Sequence, residues 1–259
     1  MNDTSGPFLM FLLALVVIFG ISSLNKVNLG FRLFGRSPLR REYKAILLKY
    51  SRFYRELEDS RKADFEKRVQ YFIRSKSFVP RGIKTVTDEM KVLIAAVAIQ
   101  LTYGFPNIYL SHFNKILIYP DNYYSTINKL FHQGEVNPLN RLIVLSWNRF
   151  MMGMINDNDG INLGLHEMAH ALRLENHIRN DEFLFFDQRQ LAHWEQLAHE
   201  EIIRIRSSEE SFFRKYGGTN EEEFFAVAVE NFFERPELFR QQRPELYLAL
   251  GQLLNQIHK

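Results

Sequence analysis

At 259 residues, with 46% hydrophobic residues, 24% charged residues and 23 Phe, the chain has enough apolar content for one large domain, or a domain plus an appendage. A net charge of +3 is too small to mark a nucleic-acid binder, and no nucleic-acid partner is expected. Cys is absent, which excludes disulfides, thiolate metal ligands and a cysteine nucleophile.

The first feature in chain order is apolar. No charged residue occurs from Thr4 to Asn25, and Pro7 to Leu24 is a run of eighteen mostly apolar residues. At helical rise that run spans about 27 Å, close to the hydrocarbon thickness of a bilayer. Lys26, Arg32, Arg36, Arg40 and Arg41 follow before the first acidic residue, Glu42. By the positive-inside rule this predicts a single-pass transmembrane helix over 1–25, with the rest of the chain facing the cytoplasm. A cleaved signal peptide competes, since Gly20-Ile21-Ser22 has small residues. Against it, the segment ahead of the apolar run holds Asp3 and no Lys or Arg. Residues 26–41 then read as a basic juxtamembrane linker, and 42–259 as the folded domain.

From Glu42 to Ser75 apolar residues recur at three-to-four spacing, predicting two helices separated near Asp59-Ser60. Val79-Pro80-Arg81-Gly82 reads as a turn, and Thr87 to Leu101 as a helix. Short strands are expected at Asn107–Leu110, Lys115–Tyr119 and Arg141–Ser146, with a loop over Gly134–Asn140. The remainder reads as helices near 162–174, 188–206, 219–234 and 244–257. The expected fold is therefore α+β, mainly helical with a small sheet.

His166-Glu167-Met168-Ala169-His170 carries the chemistry. Four-residue spacing on a helix puts both imidazoles on one face, where their nitrogens can close on one Zn²⁺. Glu167 projects to the side, placed to accept a proton from a water activated by the ion. A hydrolytic zinc site needs a third protein ligand and one open position. Arg173 and Asn176 stand where the short metzincin pattern has Gly and His, so that class is excluded. Glu or His residues on the 188–206 helix are candidates, as are Glu223 and Glu230, seven apart on one helical face. Thr219 and Glu222 also read as a capping box, which gives the acidic run Glu221-Glu222-Glu223 a purely structural account. Spacing does not choose between Glu223 and Glu230.

Asn162-Leu163-Gly164-Leu165 leading into the two histidines, Glu223-Phe224-Phe225-Ala226-Val227, Glu230-Asn231-Phe232-Phe233 and Pro236-Glu237-Leu238-Phe239 together resemble the Mlc titration factor A family of zinc peptidases. Leu117-Ile118-Tyr119-Pro120 and Ile143–Trp147 extend the similarity, which covers roughly residues 60–250. The resemblance implies a zincin-type fold, similar to the catalytic core of anthrax lethal factor. It also implies Zn²⁺ held by His166, His170 and Glu223, with Glu167 and Tyr216 in catalysis. It suggests a peptide or protein substrate and, as an alternative to catalysis, a regulatory role in sequestering a transcriptional regulator. Arg173-Leu174-Glu175 and the N-terminal apolar run depart from the family pattern.

Overall fold

The structure, a computed structural model, describes residues 39–125, 130–178, 184–207 and 211–256. The expected transmembrane segment and most of the basic linker lie outside the described residues. Among the described residues, no helix is long and apolar enough to cross a membrane. The described chain begins inside the fold. Leu39 is buried in the core, and Arg40 pairs with Asp88 at 2.5 Å.

Helices α1 (Arg41–Tyr50), α2 (Arg52–Glu56) and α3 (Asp59–Ser75) open the domain. The first break falls at Ser51, whose side chain caps α2 by accepting from the Tyr54 amide; the second falls at Leu57-Glu58. Strand β1 (Ser77–Pro80) leads to α4 (Asp88–Thr102), capped by Thr87. From Val92 to Ile99 every residue of α4 is at most 1% exposed, so this helix is enclosed on all sides. Helices α1, α3 and α6 pack around it.

Among the described residues, six strands form two sheets. β2 (Lys115–Tyr119), β5 (Gly134–Asn137) and β6 (Leu142–Ser146) join β1 in the order β1-β2-β6-β5, while β3 (Tyr123–Ser125) and β4 (Leu130–His132) pair as a hairpin. β1, β2 and β6 run parallel, and β5 is antiparallel to β6, with Gly134 opposite Leu145. The buried run Ile143-Val144-Leu145 in β6 suits a strand covered on both faces.

Helices α5 (Trp147–Ile155), α6 (Leu163–Ile178), α7 (Gln188–Ser207), α8 (Glu221–Glu234), α9 (Pro236–Gln242) and α10 (Pro244–Leu253) complete the chain, with a short 3₁₀ segment at Lys215–Gly218. α6 packs on α8, and α7 on α10. The observed architecture is mainly helical with a four-stranded mixed sheet, as the patterning predicts.

Local corrections have physical causes. Residues 79–80, read as a turn, close strand β1; Pro80 sits at the last position of an edge strand, where a missing N–H is tolerated. Asn107–Leu110 is not a strand. Leu110 has φ +50°, its carbonyl accepts from buried Lys76 Nζ at 2.5 Å, and the next two amides donate to the Glu175 carboxylate. Side chains have taken the partners that a ladder would need. The loop expected at Gly134–Asn140 instead begins with β5, and α5 and α9 were not anticipated. The capping box also fails. Asn220 caps α8 by accepting from the Glu223 amide, while the Thr219 hydroxyl donates to the Tyr216 carbonyl.

Candidate metal centre

The site arises where α6 and α8 face each other. Asn162, His166 and His170 recur every four residues, so they form one stripe at the start of α6. Glu223, Glu230 and Glu234 form the matching stripe on α8. Partners advance in opposite directions along the two helices: His170 and His166 meet Glu223, His166 meets Glu230, and Asn162 meets Glu230 and Glu234. Apolar side chains pack on either side of the stripes; Leu165, Met168, Ala169, Phe224, Phe225 and Val227 are all buried.

Three ligand-type atoms converge. His166 Nε2 lies 3.1 Å from His170 Nε2 and 3.1 Å from Glu223 Oε2, and His170 Nε2 lies 3.5 Å from the same carboxylate oxygen. Ligand atoms about 2.0–2.1 Å from one tetrahedral zinc are separated by about 3.3–3.4 Å. The triangle fits that ion, and no other group of His, Cys, Asp or Glu among the described residues meets the same condition. Two imidazoles and one carboxylate also form a donor set that suits zinc.

Glu230, the competing ligand candidate, is turned elsewhere. Its carboxylate is fully buried and accepts from His166 Nδ1 (2.7 Å), the Asn162 amide (2.7 Å) and both terminal nitrogens of Arg214 (2.7 and 3.0 Å). A carboxylate that binds Nδ1–H leaves the Nε2 lone pair directed at the site, which is how outer partners orient histidine ligands. Glu234 ends the stripe: it accepts from Asn162 Nδ2 and the Gly160 amide, both at 2.9 Å, and burial pushes its carboxyl up to about 7. Asn162 fixes the helix start by accepting from the Leu165 amide at 3.0 Å.

The electrostatics follow from this crowding. Burial disfavours the charged His166 ring, but hydrogen bonds to Glu223 and Glu230 outweigh it and push the imidazole up to about 10. Burial opposes ionisation of Glu223 too, yet the two histidines hold its carboxyl far below the usual range. Glu167 is 6% exposed, and burial, opposed by the nearby histidines, raises its carboxyl to about 7. That value suits a group exchanging protons near neutrality.

Glu167 rests on the start of β5. A Cβ added to Gly134 would lie 2.3 Å from Glu167 Oε1 and 2.6 Å from its Cγ, so only glycine admits the carboxylate here. Tyr216, half exposed in the 3₁₀ segment, places its ring 5.9 Å from that of His166. Burial, then the neighbouring Glu223 charge, raises its phenol to about 12, keeping it a neutral hydrogen-bond donor. His166, Glu167, Gly134 and Tyr216 line both halves of one cleft, of about 560 and 390 Å³.

The structure brings His166, Glu167, His170, Glu223 and Tyr216 to one place, while the ligand candidates on α7 stay outside that group; several supporting residues have no role assigned from the sequence. Gly134 was read as loop, and nothing in local spacing marks Arg214. Asn162, an Asn four residues before the first histidine, could have been read as the helix cap. Arg173, a departure from the expected pattern, is buried and reaches Glu222 at 3.0 Å, bracing α6 against the first turn of α8. Glu195 on α7 lies 3.6 Å from Arg173 and belongs to that brace.

The family model for the glucose-regulated metallo-peptidase M90 matches residues 29–254, so it takes in part of the basic linker. The chain is 27% identical to an uncharacterized protein, slr2042, from Synechocystis over 228 residues, covering 82% of this chain and 83% of the relative. It is 30% identical over 210 residues to Mlc titration factor A of Escherichia fergusonii, covering 73% and 76%. It is 28% identical over 214 residues to the Cronobacter sakazakii protein of that name, covering 74% and 77%.

Two measurements test the assignments at the site. Glu223→Ala should lose bound zinc in elemental analysis of purified protein, whereas Glu230→Ala should keep a weakened site, about 10–100-fold lower in affinity; the reverse order would exchange their roles. Gly134→Ala should fold and bind zinc normally but lose about 100-fold in peptide turnover, because the added methyl displaces the Glu167 carboxylate. Unchanged turnover would show that this close approach is immaterial.

Proposed function

Because the chain belongs to the glucose-regulated metallo-peptidase M90 family, we propose that it is a zinc-dependent peptidase that hydrolyses peptide bonds in the cleft between β5 and helices α6 and α8. The observation that carries this reading is the convergence of ligand atoms of His166, His170 and Glu223 within 4.8 Å of one another, beside the buried Glu167 carboxylate.

In this reading His166, His170 and Glu223 hold Zn²⁺, which when bound supplies a Lewis acid that makes water a nucleophile near neutral pH. Glu167 accepts the proton of the attacking water and passes it to the departing amine. Gly134 keeps that carboxylate against the strand, and Glu230 keeps His166 in the tautomer whose Nε2 faces the site. Tyr216 donates a hydrogen bond to the oxygen that gains charge as the carbonyl is attacked. The outer edge of β5 is unpaired among the described residues, so an extended peptide can add to it as a further strand.

A second reading draws on the relatives named Mlc titration factor A: the chain binds a transcriptional regulator, with catalysis secondary. One variant separates the two. Glu167→Gln should keep near-stoichiometric zinc and lose peptide hydrolysis by about 100-fold or more. Unchanged turnover would remove Glu167 from the reaction, and an undiminished cellular phenotype in that variant would favour the binding role.

We also propose that residues 1–25 anchor the domain in a membrane with the cleft on the cytoplasmic side. The support is the uncharged apolar run and the five basic residues behind it. Protease added to inside-out vesicles should then digest the domain; protection there, with digestion in right-side-out vesicles, would sink this topology.

A further inference from the structure

We infer that the half of the cleft walled by Met152, Ile161 and Leu163 is a specificity subsite, one that takes a large apolar side chain on the residue following the cleaved bond. The inference rests on the peptidase reading above and adds a substrate class to it.

Met152 is 52% exposed and Ile161 55% exposed, in a domain whose large apolar residues otherwise mostly enter the core; Leu163 is half-buried beside them. They come from α5, from the loop ahead of α6 and from the first residue of α6. They share one cavity of about 560 Å³ with His166, Glu167 and Tyr216. Clustered apolar side chains turned towards solvent beside a catalytic-type constellation mark a place where an apolar group is received. The charged side chains at this end that are not engaged with the metal-binding stripes, Arg149 and Asp159, have opposite signs. The apolar wall therefore sets the preference.

For a peptide that adds antiparallel to β5, the direction of that strand sets which side of the scissile bond lies here. β5 runs from Gly134 to Asn137, and its Val136 end lines the opposite half of the cleft with His170, Leu174 and Glu222. A peptide added antiparallel to this strand enters past Val136 and leaves past Gly134 and Gln133. Residues after the cleaved bond then lie against Met152 and Ile161.

The test uses zinc-loaded full-length protein and two hydroxamate inhibitors that differ only in one side chain, isobutyl or aminobutyl, placed to enter this half of the cleft. The isobutyl compound should bind wild type about tenfold or more tightly than the aminobutyl one, the scale at which apolar pockets discriminate. The Met152→Glu/Ile161→Asp double variant should abolish or reverse that ratio. Equal or undetectable binding of both compounds to wild type, or an unchanged ratio in the variant, overturns the subsite. Peptides with Leu or Lys after the cleaved bond provide the parallel readout in kcat/KM. Hydrolysis with no Leu preference sinks the subsite and leaves the peptidase reading standing. Hydroxamate discrimination with no hydrolysis of any peptide keeps the subsite and sinks the peptidase reading.

Discussion

The structure turns on one buried carboxylate. Glu230 is wholly enclosed, where an unpaired charge would cost several kcal/mol, yet four donors meet its two oxygens: His166 Nδ1, the Asn162 amide and two nitrogens of Arg214. The same interactions tie together three pieces of chain: the start of α6, the middle of α8 and the segment ahead of Tyr216. Satisfying that charge and aiming the first histidine are the same act. A buried polar group that must find all its partners has few alternative arrangements, so it registers α6 against α8.

The apolar frame makes this registration possible. α4 is enclosed on every side from Val92 to Ile99 and α8 is buried from Phe224 to Glu234, so neither helix can rotate without breaking buried apolar contacts. Trp194 of α7 stacks on Phe224 with centroids 5.8 Å apart, and Phe225 lies beneath the Arg173 guanidinium at 5.3 Å. Glu223 stands at the first turn of α8, where the helix leaves that packing. There it is only partly buried, free to face a cation, and it sits among acidic neighbours that favour a helix N-terminus. The ligand is thus held by a rigid element but presented at its open end.

Strand β5 gives the cleft its other wall. Pairing with β6 holds Gly134 opposite Leu145, so the sheet fixes the strand's position while its outer edge faces the site. The absence of a side chain at Gly134 lets the Glu167 carboxylate lie directly on the backbone. On the peptidase reading proposed above, recognition of an extended chain and placement of a proton carrier depend on the same few residues. Tyr119 and Tyr123, stacked with centroids 4.5 Å apart, and the contact of Tyr123 with Glu135 at 3.2 Å brace this edge from behind.

The sequence alone determined what is local. The four-residue spacing of His166 and His170, the apolar periods of the helices and the helix beginning near Thr87 are encoded within a few residues, and all are found in the structure. A family resemblance pointed to Glu223, but spacing left Glu223 and Glu230 equivalent because they share one face of one helix. Only the tertiary structure separated them, through contacts spanning 57 and 64 residues of chain. Strand β5 was invisible for a related reason: Gly134-Glu135-Val136-Asn137 has neither apolar alternation nor β-branched richness, and it exists because β6 supplies its hydrogen-bond partners. Arg214 likewise gains meaning only opposite Glu230. Periodicity reports which face of an element is buried; which buried group meets which is decided by packing, since that pairing depends on the register between elements distant in sequence.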